Sequence, residues 1–377
     1  MKRYLLTPGP VELPESVRAA AAQEMIGHRC ADFSQLLNQV EDKLKNLLNV
    51  STPVVILPSS GTGALEALAV NFLDEGDKFA SVSCGVFGNR FREIAIRCKA
   101  VPTCMDVPMG KAVSPEDVAD FIKKNSECKV LMLTQNETST GVLNPIKEII
   151  AAIPYDNRPI ILVDAVSSAG AMELYPHDWG IDGVATASQK GFLTPPGLGL
   201  VWLSQKAWSY IENRKCRSYY FDLKLHLKEL QGKSPANPYT PPVSLYFALD
   251  KALDIILAEG RDKWFKSRRR YANALAAGLE SLGFKLLVKE TAMRSPGVTA
   301  FYAEYADTEA IRAKLSQMGI DTAGGQGELK GKIIRAAHYN DFTWTDLTLF
   351  LGALYATVGV RNVDFLGNAW NKWTEEA

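Results

Sequence analysis

The chain has 377 residues, of which 47% are apolar and 22% are charged. Its 42 basic and 42 acidic side chains cancel, which argues against a nucleic-acid binder that relies on neutralising phosphates and against a polybasic membrane anchor. At roughly 100–200 residues per domain, the length allows two or three domains around a large core.

Short β-branched runs alternate with amphipathic helical stretches through residues 54–203. Strands are predicted at residues 54–57, 79–82, 100–105, 129–134, 160–163, 183–187 and 198–203, and helices at 61–72, 89–98, 115–124 and 146–153. Strands that alternate with helices form mainly parallel sheets with both faces covered. The sequence therefore predicts an α/β fold with a seven-stranded, mainly parallel sheet in a large domain.

The pattern changes after about residue 243, where apolar residues recur at helical spacing up to Gly260. The elements predicted beyond that point are helices at 262–282, 308–318 and from 345, and strands at 285–288, 298–302 and 333–337. They make a small C-terminal α+β domain. We predict a large domain at residues 15–245 and a small one at 246–377, joined by an extended, proline-rich N-terminal segment at 1–14.

Cysteine usage and hydropathy indicate the compartment. No apolar stretch reaches the roughly 18–20 residues of a membrane span, and residues 7–10 would interrupt the apolar region of a signal peptide. The six cysteines form no Cys-x-x-Cys pair and lie near no histidine at ligand spacing. We therefore expect a cytoplasmic protein with reduced thiols, no membrane partner and no metal site.

A candidate phosphate site lies at Ser60, Gly61 and Thr62, where a predicted helix starts directly after a strand. Free backbone N–H groups at a helix N-terminus, with hydroxyls beside them, bind phosphate well. A capping role alone is an equal alternative. The segment is neither a Walker A loop nor a G-x-G-x-x-G fingerprint, which disfavours ATP and NAD.

Two charged residues follow predicted strands of the same sheet. Asp164 ends the apolar run at 160–163, and Lys190 follows the strand at 183–187. Ligands of open α/β sheets bind beyond the carboxyl ends of strands, and a desolvated lysine loses its proton easily and can form a Schiff base. Each residue alone has an ordinary alternative, a turn-capping carboxylate or a solvent-exposed lysine. Together with the phosphate site they meet the requirements of pyridoxal phosphate.

Short motifs lie in order along nearly the whole chain: Thr-Pro-Gly-Pro at 7–10, Gly-His-Arg at 27–29, Ser-Gly-Thr at 60–62 with Glu-Ala at 66–67, Gly-Val-Phe-Gly-Asn-Arg at 85–90, Glu-Thr-Ser-Thr-Gly at 137–141, Asp-Ala-Val at 164–166, Ser-Gln-Lys-Gly at 188–191, Tyr-Thr-Pro-Pro at 239–242 and Ile-Arg at 334–335. In this set and order the chain resembles the class V, fold-type I aminotransferases, in the alanine–glyoxylate and serine–pyruvate branch. The resemblance implies pyridoxal 5'-phosphate as cofactor.

The resemblance also implies a role for each matching residue. Lys190 would be the Schiff-base lysine and proton carrier, and Asp164 would pair with the pyridine nitrogen. The remaining cofactor contacts would come from Ser60, Gly61, Thr62 and Gln189 on the phosphate, Phe87 and Val166 on the two ring faces, and Thr138 on the ring oxygen.

Substrate and partner contacts are implied in the same way. Gly9 and Arg335 would bind the substrate, with the arginine taking the carboxylate in a bidentate pair. Tyr239 and Thr240 would reach the phosphate of a neighbouring subunit, which implies a homodimer with shared active sites. No second arginine stands out for a distal carboxylate, so alanine or serine as donor and glyoxylate or pyruvate as acceptor are expected.

Several alternatives remain. Residues 336–340, Ala-Ala-His-Tyr-Asn, lack the glycines that the family carries around this histidine, so a different acceptor side of the pocket is expected. Within the aminotransferases, 2-aminoethylphosphonate–pyruvate and phosphoserine transamination stay open. A cysteine desulfurase would need a nucleophilic cysteine in the C-terminal third, but the last one is Cys216. It would also carry His in place of Gln189. A nucleotide-binding oxidoreductase is disfavoured by the missing glycine fingerprint.

Overall fold

The computed structural model of the chain describes residues 3–303, 307–358 and 364–375. The strands are β1 (Tyr4–Leu6), β2 (Val54–Pro58), β3 (Lys78–Ser83), β4 (Val101–Asp106), β5 (Val130–Thr134), β6 (Asn136–Glu137), β7 (Val142–Leu143), β8 (Ile160–Asp164), β9 (Gly183–Ala187), β10 (Leu198–Leu203), β11 (Lys285–Leu286), β12 (Val298–Tyr302), β13 (Ile320–Gly324) and β14 (Ile333–Ala337). The helices are α1 (Glu15–Ala21), α2 (Ala31–Leu48), α3 (Gly61–Phe72), α4 (Val86–Arg97), α5 (Pro115–Lys124), α6 (Ile146–Ala152), α7 (Pro176–Trp179), α8 (Gln205–Ile211), α9 (Leu223–Leu230), α10 (Val243–Ala258), α11 (Arg261–Ser281), α12 (Thr308–Gln317), α13 (Trp344–Val358) and α14 (Phe365–Glu375).

The predicted seven-stranded sheet is confirmed, in the order β2-β10-β9-β8-β5-β3-β4. Strand β10 runs antiparallel to both of its neighbours, and the pairs among β9, β8, β5, β3 and β4 are parallel. Because β2 and β9 are each antiparallel to β10, β2 runs in the same direction as β9. The carboxyl ends of β2, β8 and β9 therefore lie at one edge of the sheet.

Alternate residues of these strands enter two different core clusters, one on each face of the sheet. Leu131 and Val163 belong to the first cluster, and their neighbours Val130 and Leu162 belong to the second. Side chains of a strand alternate between faces, so both faces are covered. No helix in the described ranges combines the length and apolar character needed to cross a membrane.

The C-terminal part contains a second sheet, in the order β1-β13-β14-β12-β11. Neither β1 nor β13 was predicted. Strand β13 reads Ile-Asp-Thr-Ala-Gly, with little apolar alternation of its own, and pairs with β1 on one side and β14 on the other. Its strand conformation thus depends on neighbours distant in sequence, which local patterns do not reveal.

The helices between the two sheets contact both parts of the molecule. Helix α10 adds Leu249 and Leu253 to the core of the large sheet, while α11 adds Trp264 to that core and Leu275 to the core beside the small sheet. The division predicted between residues 245 and 246 stays a prediction. Within the predicted domains, residues 1–2, 304–306, 359–363 and 376–377 lie outside the described residues.

Candidate active site

The phosphate candidate, Asp164 and Lys190 lie at the same edge of the large sheet, since β2, β8 and β9 end there. Asp164 is paired with Ala185 of β9, and Lys190 follows three residues after that strand. A Cβ placed on Gly61 would lie 2.8 Å from the Val166 methyl groups and 3.1 Å from the Ala187 Cβ. Only glycine therefore lets the start of α3 approach the ends of β8 and β9 so closely.

Lys190 is covered by the N-terminal segment. Its Nζ donates a hydrogen bond to the Pro8 carbonyl. Gly9 has φ +117°, and a Cβ there would lie 2.7 Å from Lys190 Cε, so a larger residue would collide with the lysine. Burial, assisted by the positive charge of Arg335, lowers the Lys190 pKa to about 8. The amine is thus closer to its neutral form than an exposed lysine is.

Asp164 is buried at the end of β8, where its Oδ1 accepts a hydrogen bond from the Val166 backbone N–H at 2.9 Å. Burial raises its pKa to about 7, although the Lys190 charge opposes that rise. A cation placed beside this buried carboxylate would strongly stabilise its ionised form. The position suits a protonated pyridine nitrogen.

Glu137 caps the N-terminus of α4 and so positions Phe87. Its Oε2 accepts hydrogen bonds from the backbone N–H groups of Phe87 at 3.1 Å and Gly88 at 3.0 Å. The Arg90 guanidinium lies 4.8 Å from the centroid of the Phe87 ring. Glu137 belongs to one of the motifs found in the sequence, but no role was predicted for it, because this contact joins segments 50 residues apart.

Thr138, in the turn between β6 and β7, and Arg335, on β14, connect the small sheet to the segment that follows β8. The Thr138 hydroxyl donates to Ser167 Oγ at 2.7 Å, and its carbonyl accepts from Arg335 Nη1 at 2.8 Å. Arg335 Nε donates to the Gly324 carbonyl at 2.8 Å. Among the described residues no carboxylate pairs with this buried arginine, and its Nη2 has no acceptor. A fixed guanidinium with unused donors suits a substrate carboxylate.

A cavity of about 350 Å³ brings five predicted residues together: Gly9, Phe87, Thr138, Lys190 and Arg335. It is also lined by Arg312 and Gln326, which sequence analysis did not select. A second arginine therefore lines the cavity, although none stood out in the sequence to match a distal carboxylate. Arg312 lies on α12, and the sequence of this helix gives no sign that the residue lines a cavity. In the described part of the chain no three His, Cys, Asp or Glu residues are grouped to hold a metal ion.

The residues predicted for the phosphate have unused hydrogen-bonding groups. Ser60 caps α3 by accepting from the Gly63 N–H at 3.4 Å, and both Ser60 and Thr62 are exposed at this helix start. The NH2 group of the Gln189 amide is the donor that a phosphate would use, while no residue in the described ranges hydrogen-bonds to its buried Oε1. A helix start of the kind that binds anions, a lysine and a buried acid at one edge fit the chemistry of pyridoxal phosphate.

Tyr239 and Thr240 do not line this cavity in the single chain. The Tyr239 hydroxyl donates to the Tyr219 carbonyl at 2.8 Å, and its ring stacks on Tyr220 with centroids 5.1 Å apart. Tyr220 in turn donates to the Pro58 carbonyl at 3.1 Å, two residues before Ser60. Thr240 is exposed. Their role at a neighbouring subunit stays a prediction.

Comparison with known proteins gives a consistent family. The model of the class V aminotransferases matches residues 4–338. The soluble hydrogenase small subunit of Synechococcus sp. is 34% identical over 95% of this chain and 93% of that protein. The L-aspartate–glyoxylate aminotransferase of Paracoccus denitrificans is 32% identical over 90% of this chain and 87% of that protein. The alanine–glyoxylate aminotransferase of Oryctolagus cuniculus is 32% identical over 88% of this chain and 86% of that protein. Among solved structures, the ureidoglycine–glyoxylate aminotransferase of Bacillus subtilis is 26% identical, with a TM-score of 0.93 over 99% of this chain and 98% of that chain.

Proposed function

Because the chain belongs to the class V aminotransferases, we propose that it transfers the amino group of alanine or serine to glyoxylate or pyruvate with pyridoxal 5'-phosphate as cofactor. The observation that carries the proposal is the cavity that contains both Lys190 and Arg335. The first offers an amine of lowered pKa and the second a fixed carboxylate-binding group. Relatives named for glyoxylate as acceptor support the choice of oxo acid.

The residues that would hold the cofactor are Ser60, Gly61, Thr62 and Gln189 on the phosphate, Asp164 on the pyridine nitrogen, Phe87 and Val166 on the ring faces, and Thr138 on the ring oxygen. When bound, pyridoxal phosphate supplies a protonated ring that withdraws electrons from the substrate α-carbon. The buried Asp164 carboxylate favours that protonated form, since the opposite charge stabilises it at short range.

Lys190 acts as the base. With its pKa lowered to about 8, the Nζ amine is available near neutral pH to take the proton from the substrate α-carbon, as efficient general bases require. The Pro8 carbonyl accepts from the same Nζ and orients it. Gly9 keeps the segment close enough to exclude water from one side of the lysine. Arg335 holds the substrate carboxylate, so that the α-carbon is presented in one orientation.

The test of the proposed function is a matrix of amino donors and oxo acids measured on purified, cofactor-loaded protein. We expect the best turnover for alanine or serine with glyoxylate or pyruvate. Aspartate, glutamate, phosphoserine and 2-aminoethylphosphonate complete the donors. Efficient turnover of glutamate or 2-aminoethylphosphonate, with negligible activity on alanine and serine, would reject the proposal.

Arg335→Lys is expected to raise KM for both the amino donor and the oxo acid while the cofactor stays bound. A lysine cannot reproduce two parallel hydrogen bonds to a carboxylate, and the loss is about 1.5–3 kcal/mol, as for hydrogen bonds to charged groups. Steady-state kinetics measure the two KM values, and the absorption spectrum of the bound cofactor shows whether it stays in place. The matched control is Arg18→Lys, at an exposed position on α1. An unchanged KM for both substrates would contradict the role.

We also propose a homodimer with shared active sites. Tyr219 is 81% exposed and stands with Tyr220 and Tyr239 beside Pro58, next to the start of α3. An aromatic surface at this position suits a second copy of the chain. In a closed two-fold dimer the contact occurs twice.

Mixed dimers test this arrangement. We expect Lys190→Ala and Tyr239→Ala homodimers each to be defective. Coexpressing both chains should restore about a quarter of wild-type activity, because half of randomly paired two-fold dimers are mixed and each then carries one intact site. No recovery would place Tyr239 in its own subunit's site. Sedimentation showing a fully active monomer would contradict the dimer itself.

The compartment we propose is the cytoplasm. All six cysteines are free thiols in the structure. Burial raises the pKa of the Cys84 thiol to about 12 and also raises that of Cys98, which keeps these side chains in the unreactive protonated form. Free thiols are typical of reducing compartments.

A further inference from the structure

Arg312 stands beside Arg335 on the small-sheet side of the cavity. It projects from α12, which packs on β13, and Gln326 follows the end of that strand. The residues proposed to hold the cofactor all come from the segment between Ser60 and Thr240. The wall formed by Arg312, Gln326 and Arg335 is therefore left for the substrate.

Only the backbone of Gly324 lies between Arg312 and Arg335. Its carbonyl accepts from Arg335 Nε at 2.8 Å, and a Cβ on Gly324 would lie 2.9 Å from Arg312 Nη1. Because glycine has no side chain, nothing at position 324 stands between the second guanidinium and the cavity. Burial lowers the pKa of Arg335, and the positive charge of Arg312 lowers it further. The two guanidinium groups are therefore close enough to repel each other.

Arg312 keeps hydrogen-bonding capacity. Its Nη2 donates to the Thr322 carbonyl at 3.0 Å, which orients the group, while Nε is buried and finds no acceptor among the described residues. Gln326 lines the same cavity, and its side-chain NH2 group is a donor from which a carboxylate can accept. Arg312 Nη1 pairs with Glu309 at 2.6 Å, but that carboxylate is 55% exposed. Exposed ion pairs of this kind contribute little, so a ligand carboxylate can compete for the arginine.

The positive charge of the cavity also favours a substrate with two carboxylates. Lys190, Arg312 and Arg335 line it, and no acidic side chain does so in the described chain. Arg312 is paired with Glu309, whose carboxylate is 55% exposed. A substrate with one carboxylate at Arg335 can therefore place a second one against Arg312 in exchange for that exposed partner.

We propose that Arg312, assisted by Gln326, binds the distal carboxylate of a dicarboxylic amino donor, so that aspartate is accepted in addition to alanine and serine. Arg335 takes the α-carboxylate and Arg312 the second one. The inference rests on the proposed transamination and names a residue that sets its donor range.

Binding of two substrate-sized acids to the cofactor-loaded enzyme tests the role without turnover. Succinate and butyrate both have four carbons and differ in the second carboxylate. Calorimetric titration should show succinate binding about tenfold more tightly, or about 1.4 kcal/mol. Arg312→Met should remove this preference, and Lys314→Met, at an exposed position on the same helix, should keep it. Equal binding of the two acids by the wild type would overturn the inference.

Kinetics provide the second measurement. In Arg312→Met, the ratio of kcat/KM for aspartate to kcat/KM for alanine should fall about tenfold, equivalent to 1.4 kcal/mol. An unchanged ratio, with both values lowered equally, would mean that Arg312 only supports the fold of α12. Wild-type protein that transaminates alanine but has no succinate preference rejects this inference alone. Loaded protein that transaminates neither alanine nor serine rejects the proposed function.

Discussion

Replacing Lys190 with alanine should abolish transamination and leave the cofactor removable by dialysis. The substitution removes the general base, a contribution of about 10²–10⁴-fold, and the covalent attachment with it. In the wild type, borohydride should fix the cofactor to Lys190 Nζ, and peptide mapping should find the label there. Lys111→Ala, at an exposed position, is the matched control. A label on any other lysine would disprove the assignment.

The lowered pKa of Lys190 adds a pH dependence to this prediction. Only the neutral amine attacks a carbonyl, and burial brings its pKa down to about 8 from the ordinary 10.5. Covalent uptake of the cofactor by cofactor-free protein should therefore rise with pH and level off above about pH 8. Stopped-flow absorbance measures this rate. A rate still climbing in the same way beyond pH 9.5 would contradict the buried environment of the amine.

Asp164→Asn should reduce turnover by about 3 kcal/mol of transition-state stabilisation, the size of other preorganised electrostatic contacts. The amide keeps the shape of the side chain but carries no charge to stabilise a protonated pyridine nitrogen. Single-turnover absorbance with alanine measures the loss, and Asp42→Asn, at an exposed position on α2, is the control. Near-normal turnover with the cofactor fully bound would reject the role.

The same substitution should have the opposite effect on the stability of the cofactor-free protein. Folding raises the Asp164 pKa to about 7 from 3.8, mainly through burial. The folded state thus holds the proton more tightly than the unfolded state, and ionised Asp164 destabilises the fold as pH rises above about 4. Cofactor-free Asp164→Asn should melt at a higher temperature than wild type at pH 8. The difference should vanish below pH 4, where both states are protonated.

The parts of the fold that were predictable are those whose pattern is local. Strand β8, Ile160–Asp164, is fully buried, and a continuous apolar run of this length indicates a central parallel strand. Helix α2 carried a readable pattern as well, since Phe33, Leu37, Val40 and Leu44 are buried on one face, yet it was not among the predicted elements. By contrast, β13 becomes a strand only through its partners β1 and β14.

The candidate site divides in the same way. Lys190 and Asp164 were identifiable because each follows a strand of one sheet, and topology places such ends together. Arg312 was not, since nothing in the sequence of α12 distinguishes a cavity arginine from a solvated one. Glu137 belonged to a recognised motif, but its hydrogen bonds to the first backbone N–H groups of α4 appear only when residues 85–90 and 137–141 meet in space.

The route of the amino terminus limits how far the two sheets can move apart. Leu6 ends β1 at the margin of the small sheet, and Pro8, two residues later, touches Lys190 beside the large one. An extended chain spans at most about 3.3–3.6 Å per residue, so the two residues from Leu6 to Pro8 can bridge at most about 7 Å. A larger excursion would either unzip β1 from β13 or pull Pro8 off the lysine.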